Sequence, residues 1–275
     1  MGVLEGLKRF VMRLLGNGRP HIMTWEEFDR KREREEREWK ERAGLEEETG
    51  NGRVPTGVAA LDVLMEGGYE RGKITEIYGM EGTGKSTLGL MAVRAVQRQG
   101  GTAVWVDAEG AFDGGHALVL GVDMNRLGVL RYSGEKNLEK MLVRFMEKGR
   151  VDLIVIDSVA ALLPVKEEKM SVGQGSGYEH SDMLRRLFGR VREMMECEGW
   201  GTAVVLLNQM RYSEGYGKMV PAGGGSMEPY VSRWVELQRG ALIGEPWAPE
   251  GQMVKARVLG RGDAEVALYY GKGCR

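Results

Sequence analysis

From about Pro55 onward, short apolar runs alternate with segments of helical periodicity. Strands are predicted at Ile74–Tyr78, Ala103–Val106, Val129–Arg131, Leu153–Ile156 and Ala203–Leu207. Between them, apolar residues at three- and four-residue spacing predict helices over Ser86–Gln97, Leu138–Glu147 and Asp182–Met195. Runs such as Leu153-Ile154-Val155-Ile156 have no polar face, which marks strands buried on both sides. The fold class that follows is α/β, with a mainly parallel central sheet flanked by helices. Arg233–Gln238, Met253–Leu259 and Glu265–Tyr270 follow without long helices and predict an antiparallel edge.

Two different patterns precede this core. Residues 1–23 place Leu4, Leu7, Val11, Leu14 and Leu15 at helical spacing, predicting a short N-terminal helix that Gly16-Asn17-Gly18 ends. Residues 24–53 form a charged helix and linker. Thr24 and Glu27 make a capping box, and Glu26/Arg30, Glu27/Lys31, Glu33/Arg37 and Glu36/Lys40 are i,i+4 pairs. This reads as a solvated surface helix, with a protein-docking helix as the alternative. The core is placed at 54–275.

Charge sharpens this only locally. The net charge of the 275 residues is −1, so contact with nucleic acid has to come from local charge. Without residues 24–48, which hold 11 acidic and 7 basic side chains, 32 basic residues face 29 acidic ones. Cys197 and Cys274 alone build neither a disulfide framework nor a zinc site, so a cytoplasmic chain is expected. No apolar stretch reaches the ~20 residues of a membrane span.

The chemistry is concentrated at Gly79-Met80-Glu81-Gly82-Thr83-Gly84-Lys85-Ser86, a P-loop pattern between a predicted strand and a predicted helix. Glycines let backbone N–H groups close on phosphate oxygens, and the helix N-terminus adds partial positive charge. The expected nucleotide-binding set is Gly79, Glu81, Gly82, Thr83, Gly84, Lys85, Ser86 and Thr87. Lys85 reaches the β- and γ-phosphates of ATP, and the Ser86 hydroxyl takes Mg²⁺. Asp157, closing an apolar strand, is the second expected Mg²⁺ group. Asp107-Ala108-Glu109 closes another strand, where a carboxylate can activate water. Read alone, a glutamate at the Glu109 position is more often a solvated loop acid.

Taken in order, these residues resemble the bacterial RecA recombinases. The resemblance rests on Val54-Pro55-Thr56-Gly57, Gly72–Gly79 leading into the P-loop, Asp107-Ala108-Glu109 with Asp113, Val151–Leu162, Asn208-Gln209-Met210-Arg211 and Gly224-Gly225. It implies a RecA-like P-loop ATPase that forms a helical filament on single-stranded DNA and pairs it with homologous duplex DNA. It implies Glu109 as catalytic glutamate, with Lys85 assisting, and Gln209 as the sensor of the γ-phosphate. Asp113 would contact adenine, and His116 stands where the family often stacks a tyrosine; a helix-surface histidine is the alternative.

Two DNA-binding loops are also implied. The first, Met170–His180, holds Gly173, Gly175, Ser176, Gly177 and Tyr178. The second, Arg211–Gly225, holds Arg211, Tyr212, Tyr216, Lys218, Met219, Gly224 and Gly225. Glycine-rich backbone with apolar wedges suits stretched single strands. Residues 1–23 are similar to the family's polymerisation arm. The chain stops at Arg275, so a short form lacking the usual C-terminal domain is expected. Arg261 is the candidate for the contact that family members make to a neighbour's ATP. The rival readings are a ring-forming helicase or clock-type ATPase and a mediator that does not exchange strands.

Overall fold

The computed structural model describes residues 52–147, 151–162, 177–198, 201–213, 217–245, 247–269 and 273–274. The arm at 1–23, the charged helix at 24–48, and Gly173, Gly175, Ser176 and Tyr216 lie outside the described residues, as does the side chain of Tyr178.

In chain order the elements are β1 (Arg53–Val54), α1 (Ala59–Leu64), β2 (Tyr69–Glu70), β3 (Ile74–Gly79), α2 (Lys85–Arg98), β4 (Ala103–Asp107) and α3 (Gly114–Val119). Then come β5 (Leu127–Arg131), α4 (Glu135–Met146), β6 (Leu153–Asp157), α5 (Gly177–Glu198), β7 (Ala203–Ser213) and β8 (Lys218–Pro221). The chain finishes with β9 (Val231–Glu245), β10 (Ala248–Val258), β11 (Gly262–Tyr269) and β12 (Gly273–Cys274). The main sheet runs β12-β11-β10-β9-β3-β7-β6-β4-β5, with β8 paired only to β7. Strands β9, β3, β7, β6, β4 and β5 are parallel; β10, β11 and β12 add the antiparallel edge.

The buried runs work as the sequence pattern requires. Leu153 and Val155 of β6 enter one core with Trp105, Leu88 and Met91, while Ile154 and Ile156 enter the other with Leu138, Phe145, Leu187 and Phe188. Alternation therefore feeds two helical layers from one strand. Each such side chain, fully buried, contributes about 1.5–3 kcal/mol.

The α2 helix lies against β4 and β6: a Cβ at Gly89 would stand 3.0 Å from the Trp105 ring. At the far end of the sheet, Arg71 donates to Asp152 Oδ1 (2.8 Å) and Gly201 O (3.2 Å), while the Thr102 N–H donates to Asp152 Oδ2 (2.8 Å). These bonds clamp the strand beginnings, so the register at the C-terminal ends is fixed.

The two implied DNA loops are corrected in part. Gly177–His180 form the first turn of α5 rather than a loop. In the second, β7 continues to Ser213 and turns back as β8, with Met210↔Pro221, Arg211↔Val220, Tyr212↔Met219 and Ser213↔Lys218 in antiparallel register. Edge position explains why Pro221 is tolerated, since an edge strand can spare one N–H. Arg53, assigned to the linker by sequence, pairs with Glu70 in β1.

Candidate active site and adjoining groove

Parallel pairing brings the functional ends of four strands together. Gly79 is opposite Gln209, and Asp157 stands in register with both Asp107 and Leu207. Open α/β sheets bind ligands at this carboxyl edge, where strand order reverses.

The loop after β3 is a cradle built from backbone. Gly82 (φ +69°) and Gly84 (φ +87°) are left-handed, and a Cβ on either would lie 2.2 Å from Arg239 Nη2 or Leu268 Cδ1, respectively. Its carbonyls are held from within by Thr83 Oγ1, which donates to Met80 O (2.8 Å), and from outside by Arg239 Nη2 to Glu81 O (3.1 Å) and Gln252 Nε2 to Gly82 O (2.9 Å). Helix α2 begins directly after Gly84 with no side-chain cap, which leaves its first N–H groups for an anion.

Lys85 is buried and donates Nζ to Gly79 O (3.1 Å) and Met80 O (2.8 Å). Burial pulls its pKa below the usual lysine range, opposed by the charges of Asp157, Glu109 and Glu81.

Ser86 Oγ donates to Asp157 Oδ2 at 2.7 Å. Burial pushes the Asp157 carboxyl up to about 6, against the Ser86 hydrogen bond and the Lys85 charge, while Glu109 and Asp107 add to the rise. One hydroxyl and one carboxylate beside a phosphate cradle fit Mg²⁺, which keeps waters and takes its other ligands from phosphate. Among the described residues no group of three or more His, Cys, Asp or Glu side chains could hold a metal by itself.

Glu109 is presented by a loop that Asp107 shapes. Asp107 accepts from Ala111 N (3.0 Å) and Phe112 N (3.3 Å), and the Ala108 N–H donates to Asp157 O (2.7 Å). One carboxylate oxygen of Glu109, Oε1, accepts from both Gln209 Nε2 (2.7 Å) and Ser158 Oγ. Two donors on one oxygen leave the other for water. Asp113 caps α3 by accepting from His116 N (2.9 Å), and His116 Nε2 lies 3.2 Å from Thr87 Oγ1, beside the start of α2.

Beyond Gln209 the same strand enters a groove of about 630 Å³ between α5 and the β7–β8 hairpin. His180, Arg185, Arg211, Tyr212, Gly224 and Gly225 are among its lining residues, and no acidic side chain among the described residues lines it. Tyr212 is 65% exposed and its cross-strand partner Met219 is 37% exposed, an apolar pair displayed to solvent. Arg211 is braced by donating Nη2 to Ala160 O (3.0 Å). Burial lowers the pKa of the His180 imidazole, opposed by the Val159 backbone and reinforced by Arg211.

The structure thus brings Lys85, Ser86, Asp157, Glu109 and Gln209 together, with Thr87, His116 and Asp113 alongside. It does not bring Arg261 to them: Arg261 sits in the β10–β11 turn and pairs with Glu66 of its own chain. Sequence reasoning missed Ser158, Arg239 and Gln252 at the nucleotide end and His180 and Arg185 in the groove. The spacing of Ser181 and Arg185, one helical turn apart, was the available signal for the last of these.

Comparison with known proteins follows the same outline. The family profile for the RecA N-terminal domain matches residues 41–274. Proteins named Protein RecA from Francisella tularensis subsp. novicida (strain U112) and subsp. tularensis (strain WY96-3418) are each 38% identical over 235 residues. Those alignments cover 80% of this chain and 64% of each relative, so the chain spans less than two thirds of the length of the curated relatives it matches.

Proposed function

From the premise that the chain belongs to the RecA family, we propose that it is an ATP-dependent DNA recombinase. It assembles as a helical filament on single-stranded DNA and pairs that strand with homologous duplex DNA. The observation that carries this reading is the continuity of β7. Gln209 donates to Glu109 at one point of the strand, and Arg211 and Tyr212 line the groove two and three residues later.

In this reading the N–H groups of Glu81–Gly84 and the Lys85 ammonium hold the phosphates of ATP. Ser86 and Asp157 hold Mg²⁺, whose charge offsets that of the phosphates when it is bound. Glu109, steadied by Gln209 and Ser158, orients a water and takes its proton. Asp113 and His116 form the wall for the base, with Thr87 beside it. Arg261 leaves Glu66 to reach the ATP of a neighbouring subunit.

Arg211, Lys218, Tyr212 and Met219 contact the single strand, the cations on phosphates and the exposed pair against bases. Gly224 and Gly225 admit its backbone. The same role is proposed for Gly173, Gly175, Ser176, Gly177, Tyr178 and Tyr216. Residues 1–23 would be the arm that joins subunits, and the site of action would be the cytoplasm. No helix among the described residues is long and apolar enough to cross a membrane.

Electron micrographs of the protein with a slowly hydrolysed ATP analogue and single-stranded DNA test this reading. Regular helical filaments are expected. Closed rings would move the chain to the helicase-type ATPases, and isolated subunits on DNA would point to a mediator.

A further inference from the structure

The turn after β8 is tied to β7 by one buried side-chain amide and one backbone bond. Asn208 is completely buried and Glu76, on the strand that leads into the P-loop, is 2% exposed. Asn208 Nδ2 donates to Glu76 Oε1 (2.7 Å) and to Ala222 O (2.8 Å), so both its N–H bonds are used. The Ala222 N–H donates to Gln209 O (3.0 Å). Ala222, which lines the groove, is therefore held at both its carbonyl and its amide by the Asn208-Gln209 dipeptide.

Adjacent strand residues face opposite sides of a sheet. Asn208 turns to the layer of α4 and α5, where it meets Glu76, and Gln209 turns to Glu109. The amide stands one way round because reversing it would face its oxygen to the Ala222 carbonyl, which only accepts. Its oxygen Oδ1 is buried with no partner among the described residues. A leucine of similar volume would avoid that cost, so the amide is poorly explained as packing.

We propose that Asn208, oriented by Glu76, is the positioning residue that transmits occupancy of the hairpin groove through Gln209 to the Glu109 carboxylate. This rests on the reading of the groove as a DNA site and of Glu109 as the hydrolytic base. Displacement of the turn at Ala222 pulls on the Asn208-Gln209 peptide, and the Gln209 side chain moves relative to Glu109. Without the Asn208 link only the Ala222 N–H bond to Gln209 O and the β8 ladder join the turn to Gln209, and the transmitted displacement is smaller.

The test is ATP turnover by the full chain, with and without an oligothymidylate strand, at several ATP concentrations. Asn208→Leu is expected to keep the DNA-free rate and the KM for ATP, and to lose about tenfold of the DNA-stimulated kcat, the scale of one buried hydrogen bond. Glu76→Gln keeps an acceptor for Asn208 and should keep the stimulation; Glu76→Leu removes it and should lose the stimulation. Should Asn208→Leu fail to fold, Asn208→Ser, whose hydroxyl is too short to span either bond, takes its place.

Full stimulation in the Asn208 variant overturns the proposal while leaving the ATPase reading intact. Equal loss of the DNA-free and DNA-stimulated rates also overturns it, since that is the signature of a merely structural residue. A wild-type protein that hydrolyses ATP but ignores DNA removes the reading itself, and the proposal with it.

Discussion

The nucleotide cradle and the hairpin groove lie along the same strand, yet they are built by different means. The cradle is local: eight consecutive residues supply its backbone, and bonds from Arg239 and Gln252 steady it from outside. Burial moves Lys85 down and Asp157 up in pKa, each against the opposite charge of the other. The groove is assembled from α5, β7 and the turn after β8, and Tyr212 and Met219 stand out in solvent. A cradle of consecutive backbone groups suits a small anionic ligand; an open groove with a displayed apolar pair suits a long, stackable polymer.

This contrast sets the scale of each perturbation. The largest effect is expected at Glu109, the carboxylate proposed to activate the water. Glu109→Gln should lower turnover by about 10²–10⁴-fold, the usual share of a general base, while ATP and DNA still bind. Turnover at the original rate in steady-state assays would remove Glu109 from the mechanism.

At the groove a smaller, graded loss is expected. Replacing Tyr212 and Met219 by alanine should weaken single-strand binding by about 1–3 kcal/mol if either stacks on a base, measured by fluorescence anisotropy. The DNA-free ATPase should stay unchanged, which separates groove from cradle. Loss of both activities together would show that the pair supports the fold instead.

How far each region was legible in the sequence follows from the same difference. Glycine, lysine and serine at fixed spacing after an apolar strand announce the cradle, since their physical neighbours are also their chain neighbours. Strands β4 and β6 and the first half of β7 were equally plain, because strands buried on both faces read as unbroken apolar runs. The groove was not. Its glycines suggested a loop, whereas Met210–Ser213 pair with Lys218–Pro221 as a hairpin. That pairing depends on β7 lying beside β3 and β6, which no local pattern states. His180 and Arg185 face the groove only because α5 packs against the turn at Gly224–Met227. Ser158 looked like the residue after a metal ligand, and its bond to Glu109 crosses from one strand end to another.

The least expected feature is the carboxyl between the two regions. Burial raises Glu76 to about 7 from the ordinary 4.5, against hydrogen bonds from Asn208 and Trp234. Between those values the folded protein keeps a proton that the unfolded chain releases. The contribution of this group to stability is therefore fully present below pH 4.5, falls as pH rises, and is lost above about pH 7. The change amounts to about 3 kcal/mol across the window. Denaturant unfolding at a series of pH values should show this slope in the wild type and a flatter profile in Glu76→Gln; identical profiles would place the titration elsewhere.

The central claim is that nucleotide and single-stranded DNA communicate through β7. Binding linkage makes that reciprocal, with coupling of about 5–150-fold in systems of this kind. The most direct measurement is the affinity for a labelled single strand, at fixed salt, with and without a slowly hydrolysed ATP analogue, in wild type and in Gln209→Ala. The account predicts tighter DNA binding with nucleotide in the wild type and little difference in Gln209→Ala. Equal DNA affinity with and without nucleotide in the wild type would contradict it.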